Sequence, residues 1–402
     1  MTGRLTRRQS LALAMGALVA GCGGGDDGGS GGFVPSPVPP PPPPPPAPPP
    51  PPPPAGSLNG VAKTRNMRFG SAVGAGPPGT QASSYSDANY RAILVRDCGL
   101  IVPENELKWQ AIRPSPTTFD FTGADTLMAF AETNGLEMRG HNLMWQNQKW
   151  LPAWTQTYNF GANPASEAAR LITEHVTTVC QRYAGRIRSW DAVNEAVDPA
   201  TGSLRQTAFS QAMGSVEAVL DLVFTTARQV LPSAQLVYND YMGWESGNTA
   251  HRAGVLKLLA GFRARNVPVD ALGVQSHLRI GSAAAPREEA AWRQFLDQVV
   301  AMGYSLIITE LDVDDGGLPA DIPTRDAGVA AYARAYLDLM FSYPQLRDVL
   351  AWGMVDPYSW LQSFSPRADG AAKRPDPYDA AYQPKSLYQA IADAFQATGV
   401  RA

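Results

Sequence analysis

Tyr304-Ser-Leu-Ile-Ile-Thr-Glu310-Leu-Asp312 is an apolar run that closes on two carboxylates. Leu306, Ile307 and Ile308 stand side by side, without the apolar–polar alternation of a strand that has one wet face. The run therefore reads as a strand buried on both faces. A second run, Trp190-Asp-Ala-Val-Asn194-Glu195, also closes on a glutamate. A carboxylate at the carboxyl end of a buried parallel strand is where barrel enzymes keep their chemistry. Working outward, short apolar segments recur at 67–73, 100–103, 137–141, 187–193, 235–239, 271–275, 304–309 and 348–352. Amphipathic helical patterns lie among them at 167–183, 216–230, 251–265, 290–302 and 325–343. Eight strand-then-helix units predict an α/β fold of the (β/α)8, or TIM barrel, kind. A doubly wound sheet with an added domain is the competing arrangement, but no Gly-rich phosphate fingerprint follows the first segment.

The 402 residues divide in composition. Residues 1–22 read as an export signal. Arg4, Arg7 and Arg8 precede an apolar stretch, 11–20, too short to span a bilayer. The Arg7-Arg8 context resembles a twin-arginine signal, with Ser10 where a bulky apolar residue is usual. Val19-Ala20-Gly21-Cys22 resembles a bacterial lipobox, which predicts lipidation of Cys22 and a membrane anchor at the cell envelope. The alternative is an ordinary signal peptide and a secreted product. Residues 23–60 read as a disordered linker, glycine-rich and then proline-rich between Pro35 and Pro54. A polyproline II stalk of that length would reach roughly 60 Å. Residues 61–402 are the expected catalytic domain, acting as a monomer. The net charge of −3 comes without a basic stripe, so nucleic acid is not an expected partner. Cys98 and Cys180 lie in or near helical segments without metal-ligand spacing, and buried free thiols are expected.

Polar and aromatic residues collect where the strands end. Pro103-Glu104-Asn105-Glu106-Leu107-Lys108-Trp109 follows the second segment, and His141-Asn-Leu-Met-Trp145-Gln-Asn-Gln148 follows the third. Asn194-Glu195, Asn239-Asp240-Tyr241, Gln275-Ser276-His277, Glu310 with Asp312, and Trp352 with Asp356 and Trp360 follow the later ones. Any one of these could cap or pack a barrel; together they predict a shared site. Two glutamates and no credible metal site suggest acid–base cleavage of a glycosidic bond, without metal or cofactor. The four histidines, His141, His175, His251 and His277, form no HExxH motif, which disfavours a zinc hydrolase. Periodicity and spacing by themselves reach a glycosidase-like barrel and go no further.

The strings PENELKW, RGHNLMW, WDAVNEA, YNDY, QSHL, ITELDV and WGMVDPYSW, in that order between 69 and 394, resemble glycoside hydrolase family 10, the barrel endo-β-1,4-xylanases. The resemblance implies xylan and xylooligosaccharides as substrate. It also implies a retaining double displacement, with Glu195 as acid/base and Glu310 as nucleophile. In that mechanism the carboxyl groups sit about 5–5.5 Å apart. It further implies that His277, backed by Asp312, keeps Glu310 charged, and that Asn194 bonds the sugar's 2-hydroxyl. Glu104, Asn105, Lys108, His141, Gln148 and Gln275 are then expected around the sugar, with Trp145, Trp352 and Trp360 as apolar faces. Two departures stand out. Gln146 replaces a usual histidine, and Lys149-Trp150 look like an insertion whose tryptophan either extends the sugar platform or packs the loop. Arg367, Lys373 and Arg374 are read as a solvated loop, or else as partners for uronate groups on xylan. Competing functions are cleavage of another β-glucan and a surface polysaccharide-binding protein that has lost catalysis.

Overall fold

A computed structural model describes residues 56–281 and 286–402. The expected export signal with Cys22, and the expected linker as far as residue 55, lie outside the described residues. A short helix, α1 (Leu58–Lys63), straddles residue 60, the boundary read from composition. The Ser57 hydroxyl caps it by accepting from the Gly60 amide at 3.0 Å, and Leu58, Val61 and Ala62 are buried. Asn59 Oδ1 accepts from the Phe69 amide at 3.1 Å, tying α1 to the start of the first strand.

The strands are β1 (Arg68–Val73), β2 (Leu100–Pro103), β3 (Glu137–Trp145), β4 (Ile187–Asn194), β5 (Gln235–Asp240), β6 (Ala271–Val274), β7 (His277–Arg279), β8 (Ser305–Asp314) and β9 (Leu346–Ala351). All pair in parallel, and β1 bonds both β2 and β9. β6 and β7 both bond β8, so they are two halves of one barrel position, interrupted at Gln275 and Ser276. The eight positions close into a barrel. Around it lie α2 (Ala88–Asp97), α3 (Thr122–Asn134), α4 (Pro164–Arg182), α5 (Val216–Val230), α6 (Thr249–Ala264), α7 (Glu289–Ala301), α8 (Ile322–Phe341) and α9 (Ser386–Ala397). Apolar spacing explains their seating: Ala168, Leu171, Ile172, His175, Val176 and Val179 of α4 form one buried face.

Ala72, Leu100, Val102, Val237, Ala271, Ile307 and Leu350 fill the barrel interior as one cluster, and the larger apolar layer lies between strands and helices. β3 and β4 approach closely at Gly140, where any Cβ would stand 2.0 Å from the Trp190 ring. Cys98 and Cys180 are buried free thiols. The two ends of the described fold meet below the barrel. Arg401 donates its amide to Arg65 O at 2.8 Å, and Asn66 Nδ2 donates to Arg401 O at 2.8 Å.

Two strands run several residues past their expected ends, and β4 and β5 by one. β3 continues to Trp145, and β8 continues to Asp314, so Glu310 sits inside β8 rather than closing it. The β8–β9 register shifts between Ile308 and Leu311. That irregularity lets Thr309 and Glu310, consecutive residues, both face inward, which strict period-two alternation forbids.

Candidate active site

Glu195 is the first residue after β4, and its φ of +52° is a left-handed conformation that side-chain-bearing residues rarely adopt. Ser276, at the break between β6 and β7, has a φ of +62°. Such strain persists only where the surroundings over-determine it, and it concentrates at functional sites. Both residues flank one hydrogen-bonded network at the carboxyl ends of the strands.

Asn239 on β5 is the hub of that network. Its Nδ2 donates to Glu310 Oε1 at 2.7 Å and to Asn194 Oδ1 at 2.9 Å, while its Oδ1 accepts from Thr309 Oγ1 at 2.7 Å. Gln275 Nε2 donates to Asn194 Oδ1 at 3.3 Å and to Glu195 Oε1 at 3.0 Å. The two glutamates are thus joined through three amide side chains. Asn194 Oδ1 is saturated by two amide donors, and its side chain borders the cleft.

His277 stands between Glu310 and Asp312. Its Nε2 is 3.2 Å from Glu310 Oε2, and its Nδ1 is 3.0 Å from Asp312 Oδ1. Burial disfavours a charged ring, but the charge and hydrogen bond of Asp312, followed by those of Glu310, outweigh it and push the imidazole up to about 10. The ring is therefore an imidazolium near neutrality, and both nitrogens donate. Trp360 Nε1 donates to Asp312 Oδ2 at 2.7 Å. Burial would raise the Glu310 carboxyl, yet the His277 bond, the attraction of His141 and then the charge of His277 overcome it and hold the group below the usual carboxylate range. Glu195 is shifted the other way. Burial pushes its carboxyl up, the charges of Asp240 and Glu310 add to that, and the donors Gln275 and Trp145 only partly oppose it. One carboxyl is biased toward its charged form and its neighbour toward its protonated form.

These groups line a cleft of ≈ 760 Å³, a size suited to a small-molecule or oligosaccharide segment. Glu104, Asn105 and Lys108 from the turn after β2 form one wall, and Lys108 Nζ donates to Asn105 Oδ1 at 3.0 Å. Burial pushes the Glu104 carboxyl up to about 7, against the pull of Lys108. His141 is aimed by Asp191, whose Oδ2 lies 2.9 Å from Nδ1; Arg139 grips both oxygens of that carboxylate from within the barrel. Trp352 borders the cleft while its remainder packs on the interior cluster, with Trp360 against it.

Several expected residues sit differently. Gln148 does not border the cleft: its Nε2 donates to Thr155 Oγ1 at 3.1 Å and its Oε1 accepts from the Ala208 amide at 2.6 Å, so the side chain braces a loop. Gln146 is fully buried, donating to Arg205 O at 3.0 Å, and likewise braces the chain after β4. The loop cations are neither solvated nor free for a uronate. Arg367 pairs with Asp369, Lys373 with Asp314, and Arg374 with Asp326. Trp145 borders the cleft, but Lys108 and Trp150 approach its ring at 4.8 and 5.1 Å, and its Nε1 donates to Glu195 Oε2 at 2.9 Å. Sequence reasoning assigned no role to Asn239, although it ends a strand-like run as Asn194 does. Tyr241, Glu245, Asn248 and Arg279 form the far wall of the cleft and carried no sequence signal beyond proximity to a strand end.

A parallel barrel whose rim holds two carboxyls shifted in opposite directions in an indole-walled cleft defines a carbohydrate-cleaving enzyme. The family model "Glycosyl hydrolase family 10" matches residues 57–394, and the chain belongs to that family; it is a retaining glycoside hydrolase. Endo-1,4-beta-xylanase 3 of Hypocrea jecorina is 33% identical over 305 residues, 76% of this chain and 78% of that one. Endo-1,4-beta-xylanase C of Phanerodontia chrysosporium is 31% identical over 324 residues, 79% of this chain and 75% of that one. Among solved structures, xylanase 10B from Thermotoga petrophila in complex with xylobiose is similar, with a TM-score of 0.73 and 27% identity over 85% of this chain and 97% of that one. Native xylanase 10B from Thermotoga maritima also has a TM-score of 0.73, at 27% identity, covering 85% and 98%.

Proposed function

We propose that this chain is an endo-1,4-β-xylanase that cleaves internal bonds of xylan by double displacement, with Glu310 as nucleophile and Glu195 as acid/base. The observation that carries the assignment is the opposite bias of the two carboxyls, Glu310 held charged by the His277 imidazolium and Glu195 pushed toward its protonated form. In the first half-reaction a Glu310 oxygen forms an ester bond to the anomeric carbon while the glycosidic C–O bond breaks. Glu195 delivers its proton to the departing oxygen. Once Glu310 is esterified its charge is gone, so Glu195 stays ionised and takes a proton from water as that water's oxygen attacks the same carbon and the ester bond breaks, returning Glu310 as a carboxylate. Asn194 donates to the 2-hydroxyl, a bond that tightens in the transition state. Glu104, Asn105, Lys108, His141 and Gln275 fix the hydroxyl pattern, and Trp352 and Trp360 cover pyranose C–H faces.

Proton NMR of the earliest products of unsubstituted xylan tests this. The β-anomer appears first; early α-anomer overturns the double displacement. Turnover of carboxymethylcellulose equal to that of xylan would instead overturn the substrate assignment.

The enzyme is exported and held at the cell envelope by acylation of Cys22. Support comes from Arg7-Arg8, the apolar segment 11–20 and the Val19-Ala20-Gly21-Cys22 string. Cys22→Ser releases activity from the membrane fraction; retention there overturns the anchor.

A further inference from the structure

Trp150 belongs to the apparent insertion after β3, and the barrel does not need it for packing. Its ring stacks on Trp145, centroids 5.1 Å apart and planes 16° from parallel. The turn that carries it is stiff: Asn147 Oδ1 accepts from the Lys149 amide at 3.2 Å, and the Trp150 amide donates to Asn147 O at 2.9 Å. Lys149 Nζ lies 4.5 Å from the Trp150 ring centroid, and Lys108 Nζ lies 4.8 Å from that of Trp145. An ammonium group thus lies near each ring of the stack, and such groups favour aromatic faces. Trp145 spends its single N–H on Glu195 Oε2, at 2.9 Å. An indole donor lies in the ring plane, so tilting the ring turns the N–H off its acceptor, and the bond weakens steeply once its angle falls below about 120°.

We propose that Trp150 is a positioning residue for Glu195: by clamping the plane of Trp145 it keeps the indole N–H on Oε2 and so fixes the aim and proton affinity of the acid/base carboxyl. This rests on the reading of Glu195 given above. Trp145 and Gln275 each favour the charged form of the carboxyl, and they reach opposite oxygens. The other charged or titratable groups facing Glu195 are Glu310 from β8, Tyr238, Asp240 and Tyr241 from β5 and its end, and Lys108 from the turn after β2. None of them hydrogen-bonds Trp150, and Lys108, which lies over the Trp145 ring, is the one of them joined to the stack. The proton step it governs is the one already described: delivery to the departing oxygen, then removal from the attacking water.

The test uses the full chain with Trp150→Ala, Trp150→Phe and Glu195→Ala, measuring kcat and KM against pH on an aryl β-xylobioside and on xylohexaose. Trp150→Ala moves the alkaline limb of kcat/KM upward by about half a pH unit, lowers kcat, and leaves KM for the aryl substrate unchanged. Trp150→Phe restores the limb. An unmoved limb with KM raised only for xylohexaose overturns the proposal and makes Trp150 a sugar platform. Wild-type pH dependence in Glu195→Ala would instead sink the acid/base assignment itself. Should Trp150→Ala not fold, the Trp145 indole ¹⁵N–¹H resonance is followed in Trp150→Leu, with Trp145→Phe for assignment. Loss of its response to Glu195 titration supports the clamp, and an unchanged response overturns it.

Discussion

His277 donates to Glu310 across 3.2 Å, and this contact decides which of the two catalytic candidates is charged. His277→Asn removes a cation and one of the two groups that grip the carboxylate. Burial, which already opposes ionisation of Glu310, is then offset less fully, with His141 and Asn239 left to oppose it. The nucleophile must be ionised, so activity is lost as pH falls through its folded pKa, which in the wild type lies below the ordinary value. The acid limb of kcat/KM therefore moves upward in His277→Asn, by about 1–2 pH units. A pH–rate profile on an aryl xylobioside checks it.

Glu195→Ala separates bond types. Natural xylan has a poor leaving group and needs the proton, so its turnover falls by about 10²–10⁴-fold. A nitrophenyl xylobioside needs little protonation, and formation of its glycosyl-enzyme falls far less. Pre-steady-state release of nitrophenol, compared with reducing-sugar release from xylan, reads the difference directly. In the wild type the Glu195 carboxyl lies above the usual range, so the alkaline limb stands above that of an ordinary glutamate.

Arg139 and Asp191 form a buried pair in the barrel interior, and the same carboxylate aims His141. Arg139→Met strands that carboxylate and costs about 3–5 kcal/mol of stability, read from urea unfolding. Burial opposes the charge of Asp191, but Arg139 and His141 together hold its pKa below the ordinary value. Its contribution is present above that value and lost as pH falls through the folded pKa. KM for xylotriose also rises in Arg139→Met, because His141 loses its anchor's orientation.

Asp376 is a fully buried carboxyl whose two oxygens have no hydrogen-bond partner among the described residues. Burial and the nearby charges of Asp356, Asp312 and Glu104 raise its pKa well above normal, against the pull of Lys385. A raised acid costs stability once pH exceeds its unfolded value, and the cost grows until pH passes the folded pKa. Asp376→Asn keeps the shape, cannot ionise, and offers an amide to Asp356 Oδ2, which accepts no hydrogen bond among the described residues. Its melting temperature exceeds that of the wild type near pH 8, by an amount worth about 1–3 kcal/mol, and the gap closes toward pH 4.

The barrel was legible because short apolar segments alternate with helices that are apolar on one face. The bounds of β2 and α5 match their expected ranges. What alternation could not reveal is where it fails. The register shift in β8 turns Thr309 and Glu310 inward together, and the left-handed Ser276 splits the sixth position. Both are set by tertiary contacts, among them the Asn239 amide and the Tyr336 hydroxyl, which lies 2.8 Å from Ser276 Oγ. The site's polar residues were legible as types at strand ends, whereas their division of labour was not. Gln275 reaches Glu195 while Gln148, an identical side chain, braces a loop; only the direction each points separates them. The loop cations misled for a related reason: each has a carboxylate partner, and those of Lys373 and Arg374 lie some fifty residues upstream, invisible to local charge counting.

The bond from Arg401 to Arg65 has a practical corollary. Both ends of the described fold emerge from the floor of the cylinder, beneath the first turns of its strands, while the sugar-binding mouth opens at the roof. A resin linkage or fusion partner attached at either end therefore leaves the mouth facing outward. An immobilised preparation held that way should digest insoluble xylan about as readily as free enzyme, whereas coupling through random surface lysines would not.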